Sequence, residues 1–207
     1  MAASVPIKED QALDDVLNDL RLRNERDYII FLIGYRTGYR TQDIVDLRVG
    51  DIRKILEECK FEIKEKKKFR NYATKKANGR KGYNSSPKPR VLKFDRDEEF
   101  YSILKSYIKG KRAYEYAFKS QKGGHIEVDS YAKILKKVGI ENKCQHLGAH
   151  TPRRTYAYFI WLLNGKDIIA AKEALGHTDI KTTIQYLGLE DEYASNVSKC
   201  IGSRIKQ

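Results

Sequence analysis

Apolar residues recur at helical spacing along most of the chain. From Glu9 to Leu20, Leu13, Val16, Leu17 and Leu20 form one stripe, as in an amphipathic helix. Arg26 to Arg36 is denser. Its run Tyr28-Ile29-Ile30-Phe31-Leu32-Ile33 predicts a buried helix with Gly38 as C-cap. Thr41 is placed to cap a short helix with Asp43 in its first turn, and Val45 and Leu47 point that helix into the core.

The period then changes. Asp51 to Lys64 carries weaker strand signals, clearest in the alternation from Cys59 to Lys64. Phe69 to Pro89 has no period and is rich in Lys, Gly, Asn and Ser, and Arg90 to Phe94 reads as a second strand. A small antiparallel sheet with an extended basic connection follows, with room for further short strands. A connection this long is expected to be functional or disordered.

Helical spacing returns from Asp97 to Lys109, with Phe100, Ile103, Leu104, Tyr107 and Ile108 inward. Asp129 to Val138 predicts a helix ended by Gly139. Thr151 to Leu163 predicts another, with Thr151 as N-cap, Pro152 in first position and Asn164-Gly165 at its end. Short helices are expected from Asp167 to Leu175 and, capped by Thr178, from Asp179 to Tyr186. A last helix is expected from about Leu189 to Ile201. The fold class is mainly α with a small antiparallel β-sheet.

Composition narrows the function. Hydrophobic content of 41% is that of a globular domain, and no apolar run is long enough to span a bilayer. The segment Met1 to Gln11 lacks the apolar stretch of a secretory signal. Cys59, Cys144 and Cys200 are odd in number and far apart. That fits a reduced, cytoplasmic protein with neither a disulfide framework nor a zinc site.

Charge points to a polyanion. Lys and Arg outnumber Asp and Glu 41 to 28, giving +13. Much of the excess lies between Lys60 and Arg90, where twelve Lys/Arg face only Glu62 and Glu65. Either this is a solvated loop or it contacts a nucleic-acid backbone, where binding would fall steeply with salt. Charge alone does not separate DNA from RNA or an anionic membrane.

Three separated segments carry candidate chemistry. The first is Thr37-Gly38-Tyr39-Arg40-Thr41-Gln42-Asp43. The second is His150-Thr151-Pro152-Arg153-Arg154. The third is Leu175-Gly176-His177-Thr178, with Thr182-Thr183 and then Tyr186. Singly, each has an ordinary explanation: a surface arginine, a capping histidine, a half-buried tyrosine. Arginines nevertheless suit a phosphoryl transition state, because they are permanently charged and donate two parallel bonds to phosphate oxygens. Arg153, in the first turn of its helix, would add free backbone N–H groups and the helix dipole. Arg154 lies about 100° further around that helix. No carboxylate cluster suits two metal ions, so no metal or other cofactor is expected.

Together, and in this order, the three boxes resemble those of the tyrosine recombinase, or phage integrase, family. The likeness spans about residues 8 to 190. It implies the DNA breaking-rejoining catalytic-domain fold over residues 9–188. Residues 1–8 would be an N-terminal extension, and residues 189–207 a helix and tail able to dock on a neighbouring protomer. It further implies site-specific recombination of double-stranded DNA (integration, excision or inversion) by a homo-oligomer, a tetramer. The expected origin is a bacterium, phage or mobile element.

By this resemblance Arg40 and Arg153 clamp the scissile phosphate, and His150 and His177 hydrogen-bond it. Tyr186 attacks phosphorus to give a 3′-phosphotyrosyl link and a free 5′-hydroxyl. A lysine in the sheet region protonates the leaving oxygen. Lys67 fits that role, with Lys66 and Lys68 as rivals. Lys64, Lys66, Lys68, Arg70, Lys75, Lys76, Arg80, Lys81 and Arg154 are candidate DNA contacts, and Asp43 is expected to orient Arg40 or a nearby backbone group. Pro152 stands where the family often has Leu, which a first-turn position tolerates. Many members carry a DNA-clamping domain before the catalytic one. Here the likeness begins almost at once, which fits either an excised catalytic fragment or a short recombinase that inverts DNA segments. Two other readings stay open: a non-catalytic DNA-binding module, which would not need Tyr186, and a type IB topoisomerase, which would relax supercoils without exchanging partners.

Overall fold

The computed structural model of the protein describes residues 4–78 and 88–189. In chain order its elements are α1 (Asp10–Arg23), α2 (Glu25–Thr37), α3 (Thr41–Val45), α4 (Val49–Glu58), β1 (Lys60–Ile63), α5 (Lys66–Ala77), β2 (Arg90–Lys93), α6 (Glu99–Tyr107), α7 (Val128–Glu141), α8 (Thr151–Leu163), α9 (Ile168–Leu175) and α10 (Ile180–Leu187). This is the expected class. The strands pair antiparallel, Phe61 opposite Leu92 and Ile63 opposite Arg90.

The apolar run in α2 makes it the central helix. Tyr28 through Gly34 are all buried, so neighbours must cover it on every side. Asn24 caps its start by accepting from Arg26 N, and Gly38 ends it at φ 61°. Helices α1, α3, α6 and α8 pack around it. A side chain at Gly34 would place its Cβ 2.8 Å from Pro152 Cβ, so glycine is what lets α8 begin this close to α2. The larger core takes in α1 to α4, both strands, α6 and α7. Each fully buried Ile or Phe there contributes about 1.5–3 kcal/mol. A second, smaller cluster joins Ala157 and Trp161 of α8 to Ala171, Leu175, Leu187 and Leu189. Helix α8 belongs to both, because it packs on α2 and on α9.

Several local expectations are corrected. Residues 49–58 are helical and not part of a strand. Val49, Ile52, Ile55 and Leu56 bury one face of α4, and Asp51 closes its first turn by accepting from Arg48 N at 2.8 Å. The connection after β1 is not extended throughout. It begins with α5, a lysine-rich helix with no buried residue, so core packing does not support it. Helix α7 runs past Gly139 to Glu141. A Cβ at Gly139 would lie 2.5 Å from the Cys144 carbonyl, so this glycine makes room for the returning chain and does not cap.

Two of the threonines expected as N-caps, Thr41 and Thr151, are buried ties instead. The Thr41 hydroxyl donates to Ala149 O. Thr151 accepts from Gly148 N and donates to Val5 O, both at 3.0 Å. The N-cap positions belong to Arg40, His150 and, in place of Thr178, Asp179, which accepts from Lys181 N and Thr182 N. The last expected helix, past Leu189, falls outside the described residues, as do Arg80 and Lys81. No helix among the described residues is long and apolar enough to cross a membrane.

Gly38 is constrained twice: its φ is left-handed, and an added Cβ would meet the Tyr156 ring at 2.3 Å. Gly38→Ala should therefore destabilise the fold by roughly 2–4 kcal/mol, left-handed strain plus overpacking. Urea unfolding at neutral pH measures it, and a change under 0.5 kcal/mol, the level of an unremarkable surface substitution, would contradict the packing described.

Candidate active site

The site forms where the two cores meet. Arg40 enters as the N-cap of α3, held just beyond the left-handed turn at Gly38. Arg153 enters from the first turn of α8. Both reach one carboxylate. Arg40 Nη1 donates to Glu65 Oε1 at 2.6 Å, and Arg153 Nη1 to the same oxygen at 3.1 Å. Lys68 Nζ pairs with Glu65 Oε2 at 2.7 Å. The side chains of Arg153 and Glu65 are each only 1% exposed. Arg153 also donates to the carbonyls of Gly38 and, at 2.9 Å, Leu175.

A neighbouring set of contacts fixes this frame. Tyr39 lies buried in the aromatic cluster with Phe61, and its hydroxyl donates to Arg90 O and accepts from Ile63 N at 3.3 Å. Arg90 stacks over the Tyr39 ring at 4.5 Å and donates to Thr37 O at 2.6 Å and to Ala174 O. Asp43 accepts from Lys66 N at 3.0 Å, so it orients backbone beside Glu65, as expected of it.

Tyr186 arrives from the other core. It sits in the last turn of α10, its hydroxyl 3.2 Å from His150 Nδ1, with the His177 ring 5.1 Å from its own ring centre. His177 follows the left-handed cap Gly176, and its Nδ1 lies 3.1 Å from Thr183 Oγ1, which orients the imidazole. The Arg153 guanidinium stands 6.0 Å from the Tyr186 ring centre. The five box residues thus converge, linked by contacts from Arg40 through Glu65 and Arg153 to Tyr186 and both histidines.

Charge and burial tune the groups. Burial pushes the Glu65 carboxyl up, but the Lys68 hydrogen bond and the charges of Arg153, Arg40 and Lys68 outweigh it and hold it below the usual range. Burial, then the charge of Arg40, draws Arg153 down. Burial, followed by the positive charges of Arg153, Arg40 and Lys68, lowers His177 to about 4. His150 is lowered in the same way, by desolvation and then by Arg154, Arg153, Arg40 and Lys67. Both imidazoles are therefore neutral near pH 7. A neutral His150 can accept a proton from the Tyr186 hydroxyl, and the arginines can stabilise an anion.

The lysine candidates separate. Lys66 Nζ turns away to Asp46. Lys67 is exposed at the start of α5, close enough for its charge to act on His150. Lys68 reaches inward to Glu65. Lys64, Arg70 and Lys76 are exposed along the β1–α5 segment, and Lys75 is half-buried there. Arg154, read as a DNA contact, donates to the Gln185 and Tyr186 carbonyls at 3.0 Å and stacks on the Tyr186 ring at 4.5 Å. It grips the end of α10, where free carbonyls favour a cation. Sequence reasoning missed Glu65 and Arg90, and placed Thr183 in the third segment without a role. Glu65 had one available signal: it is one of two acids in an otherwise basic stretch. No group of three or more His, Cys, Asp or Glu able to hold a metal ion occurs among the described residues.

Residues 8–192 match the model of the phage integrase family. The chain belongs to that family. It is 25% identical over 199 residues to the probable integrase/recombinase YoeC of Bacillus subtilis, covering 95% of this chain and 96% of that one. A crystal structure of XerA recombinase aligns with TM-score 0.63 at 21% identity, over 96% of this chain and 65% of the other. XerH site-specific recombinase, bound to palindromic difH substrate in a post-cleavage complex, aligns with TM-score 0.60 at 19% identity, over 95% and 53%. These likenesses establish the tyrosine recombinase catalytic-domain fold. The chain spans about half the length of the curated XerA and XerD relatives that it matches.

The lowered histidines predict a stability change with pH. Between about pH 6.5, the ordinary histidine value, and about 4, His177 is protonated in the unfolded chain but not in the fold. Stability should therefore fall as pH drops through that window. His177→Gln should flatten the slope of melting temperature against pH there, and an unchanged slope would show that His177 does not carry it.

Proposed function

We propose that this chain cleaves and rejoins double-stranded DNA at specific sites, with Tyr186 as nucleophile. One observation carries the reading: the Tyr186 hydroxyl lies 3.2 Å from His150 Nδ1, with Arg153 over the same ring. Arg40 and Arg153 bind the scissile phosphate and stabilise the charge gained on attack. His150 accepts the tyrosine proton as Oη bonds to phosphorus. His177 donates a hydrogen bond to a phosphate oxygen. The bond from phosphorus to the 5′-oxygen breaks, leaving a 3′-phosphotyrosyl link. Lys67 gives that oxygen its proton, and a second strand's 5′-hydroxyl reverses the step. The chemistry needs no cofactor, because the energy of the phosphodiester stays in the phosphotyrosyl bond.

Exposed Lys64, Arg70 and Lys76, with Lys75, supply backbone contacts that carry no sequence information, and Arg80 and Lys81, next in the sequence, are further candidates for such contacts. The net charge of +13 favours DNA association at low salt. Active protein is a homo-oligomer on DNA, a tetramer, acting in the cytoplasm of a bacterium or on behalf of a mobile element.

Covalent trapping tests this. The protein is incubated with nicked suicide duplexes bearing candidate sites and resolved on a denaturing gel. A protein–DNA band is expected from the wild type and not from Tyr186→Phe. A band that persists in the variant would displace Tyr186 from its role. Lys67→Ala should slow cleavage by about 10²–10⁴-fold, the range for one acid–base group. It should recover on a substrate with sulfur in place of the leaving 5′-oxygen, which departs without a proton. If Lys68→Ala shows that recovery and Lys67→Ala does not, Lys68 is the acid.

A further inference from the structure

Arg153 poses a difficulty for any reaction at phosphate. Its side chain is 1% exposed, and both terminal nitrogens are already committed, Nη1 to Glu65 and Gly38 and Nη2 to Leu175. No DNA phosphate can reach Nη1 while Glu65 holds it. The Glu65 carboxylate occupies the place an anion would take between the two arginines, one oxygen accepting from both. Its other oxygen is covered by Lys68, whose ammonium lies against Gly176, beside His177.

We propose that Glu65 is a positioning residue that fills the anion place between Arg40 and Arg153 in the DNA-free protein and yields it to a phosphate when DNA docks. This rests on the reading of the site as a phosphoryl-transfer centre. Three observations support it. First, two like charges with one buried between them need a counter-anion to stay together. Second, one carboxylate underfills the place. A guanidinium carries five N–H donors, and buried Arg153 Nε has no hydrogen-bond acceptor, so a phosphate with more oxygens would satisfy more of them. Third, α5, which starts on bonds from Lys68 N and Phe69 N to Glu65 O, buries no residue, so a shift of Glu65 together with α5 breaks the Asp43–Lys66 N bond but no apolar core.

Displacement would also free Lys68 from its carboxylate next to the third box. Glu65 thus links occupancy of the arginine pair to release of Lys68. Until DNA arrives, the arginines are held in register and screened from other anions.

The test compares wild type with Glu65→Gln, which keeps shape and loses charge. Melting temperature is followed in inorganic phosphate against chloride at matched ionic strength. Glu65→Gln should melt lower in chloride and gain substantially more from phosphate than wild type does. It should bind phosphate roughly tenfold more tightly, since a like charge at a binding site opposes association. Equal phosphate shifts, or weaker phosphate binding by the variant, would overturn the proposal. If the variant does not fold, hydrogen exchange on the wild type decides. Amide protection at Lys68 and Phe69 should drop on adding a duplex; retained or increased protection there refutes displacement. A phosphate effect without covalent trapping would leave the anion place standing and sink the recombinase reading. Trapping without the phosphate effect would do the reverse.

Discussion

A carboxylate shared by two arginines is the contact on which the site depends. Arg153 is almost wholly enclosed, and a guanidinium cannot give up its proton to ease the cost of burial. It must be paired, and Glu65 pairs it. The same oxygen holds Arg40, so residues from the α2–α3 turn, the β1–α5 junction and α8 are drawn to one point. Carbonyls of Gly38 and Leu175 complete the enclosure and bring in the ends of α2 and α9. Removing the carboxylate would leave two positive charges facing each other with little water between them.

Around this point the protein is built in two parts. The larger core places Arg40 through α2, whose apolar run forces it to the centre and whose end is set by Gly38. The smaller cluster carries Tyr186 on α10 and holds His177 in the turn between α9 and α10. Helix α8 belongs to both, and its first turn supplies His150 and Arg153 where the parts meet. Arg154 then fastens α10 from the same turn by gripping its terminal carbonyls. Adjacent residues on α8 thus do different work, one turned to the anion place and the other to the helix that carries the tyrosine. The angle between successive helical positions separates them.

The electrostatics of the site favour neutral imidazoles among fixed cations. His177 and His150 are lowered first by desolvation and then by the arginines. Permanent charge is left to Arg and Lys, while the histidines stay neutral near pH 7. Such a division suits a centre that must hold an anion and move a proton in the same small volume.

Much of this was legible in the chain alone. The stripes of α1 and α6, the buried run of α2 and the three ordered boxes are local patterns, and local patterns survive without knowledge of the fold. Helix α4 was misread because its residues were read together with the alternation that follows from Cys59, which belongs to β1, and α5 because a basic, aperiodic stretch gives no buried face to detect. Thr41, Thr151 and Thr178 had the chemistry of caps, yet the first two donate their hydroxyls to Ala149 and Val5 in distant segments, and Asp179 takes the place of the third. The sequence by itself determined the class of fold, the family and the identity of the residues that converge. Tertiary structure alone decided that Glu65 binds both arginines, that Arg154 turns to α10, and that Lys66, Lys67 and Lys68 part company. The physical reason is that burial and ion pairing join positions far apart in the chain, as Arg153 and Glu65 are, and leave no periodic trace along it.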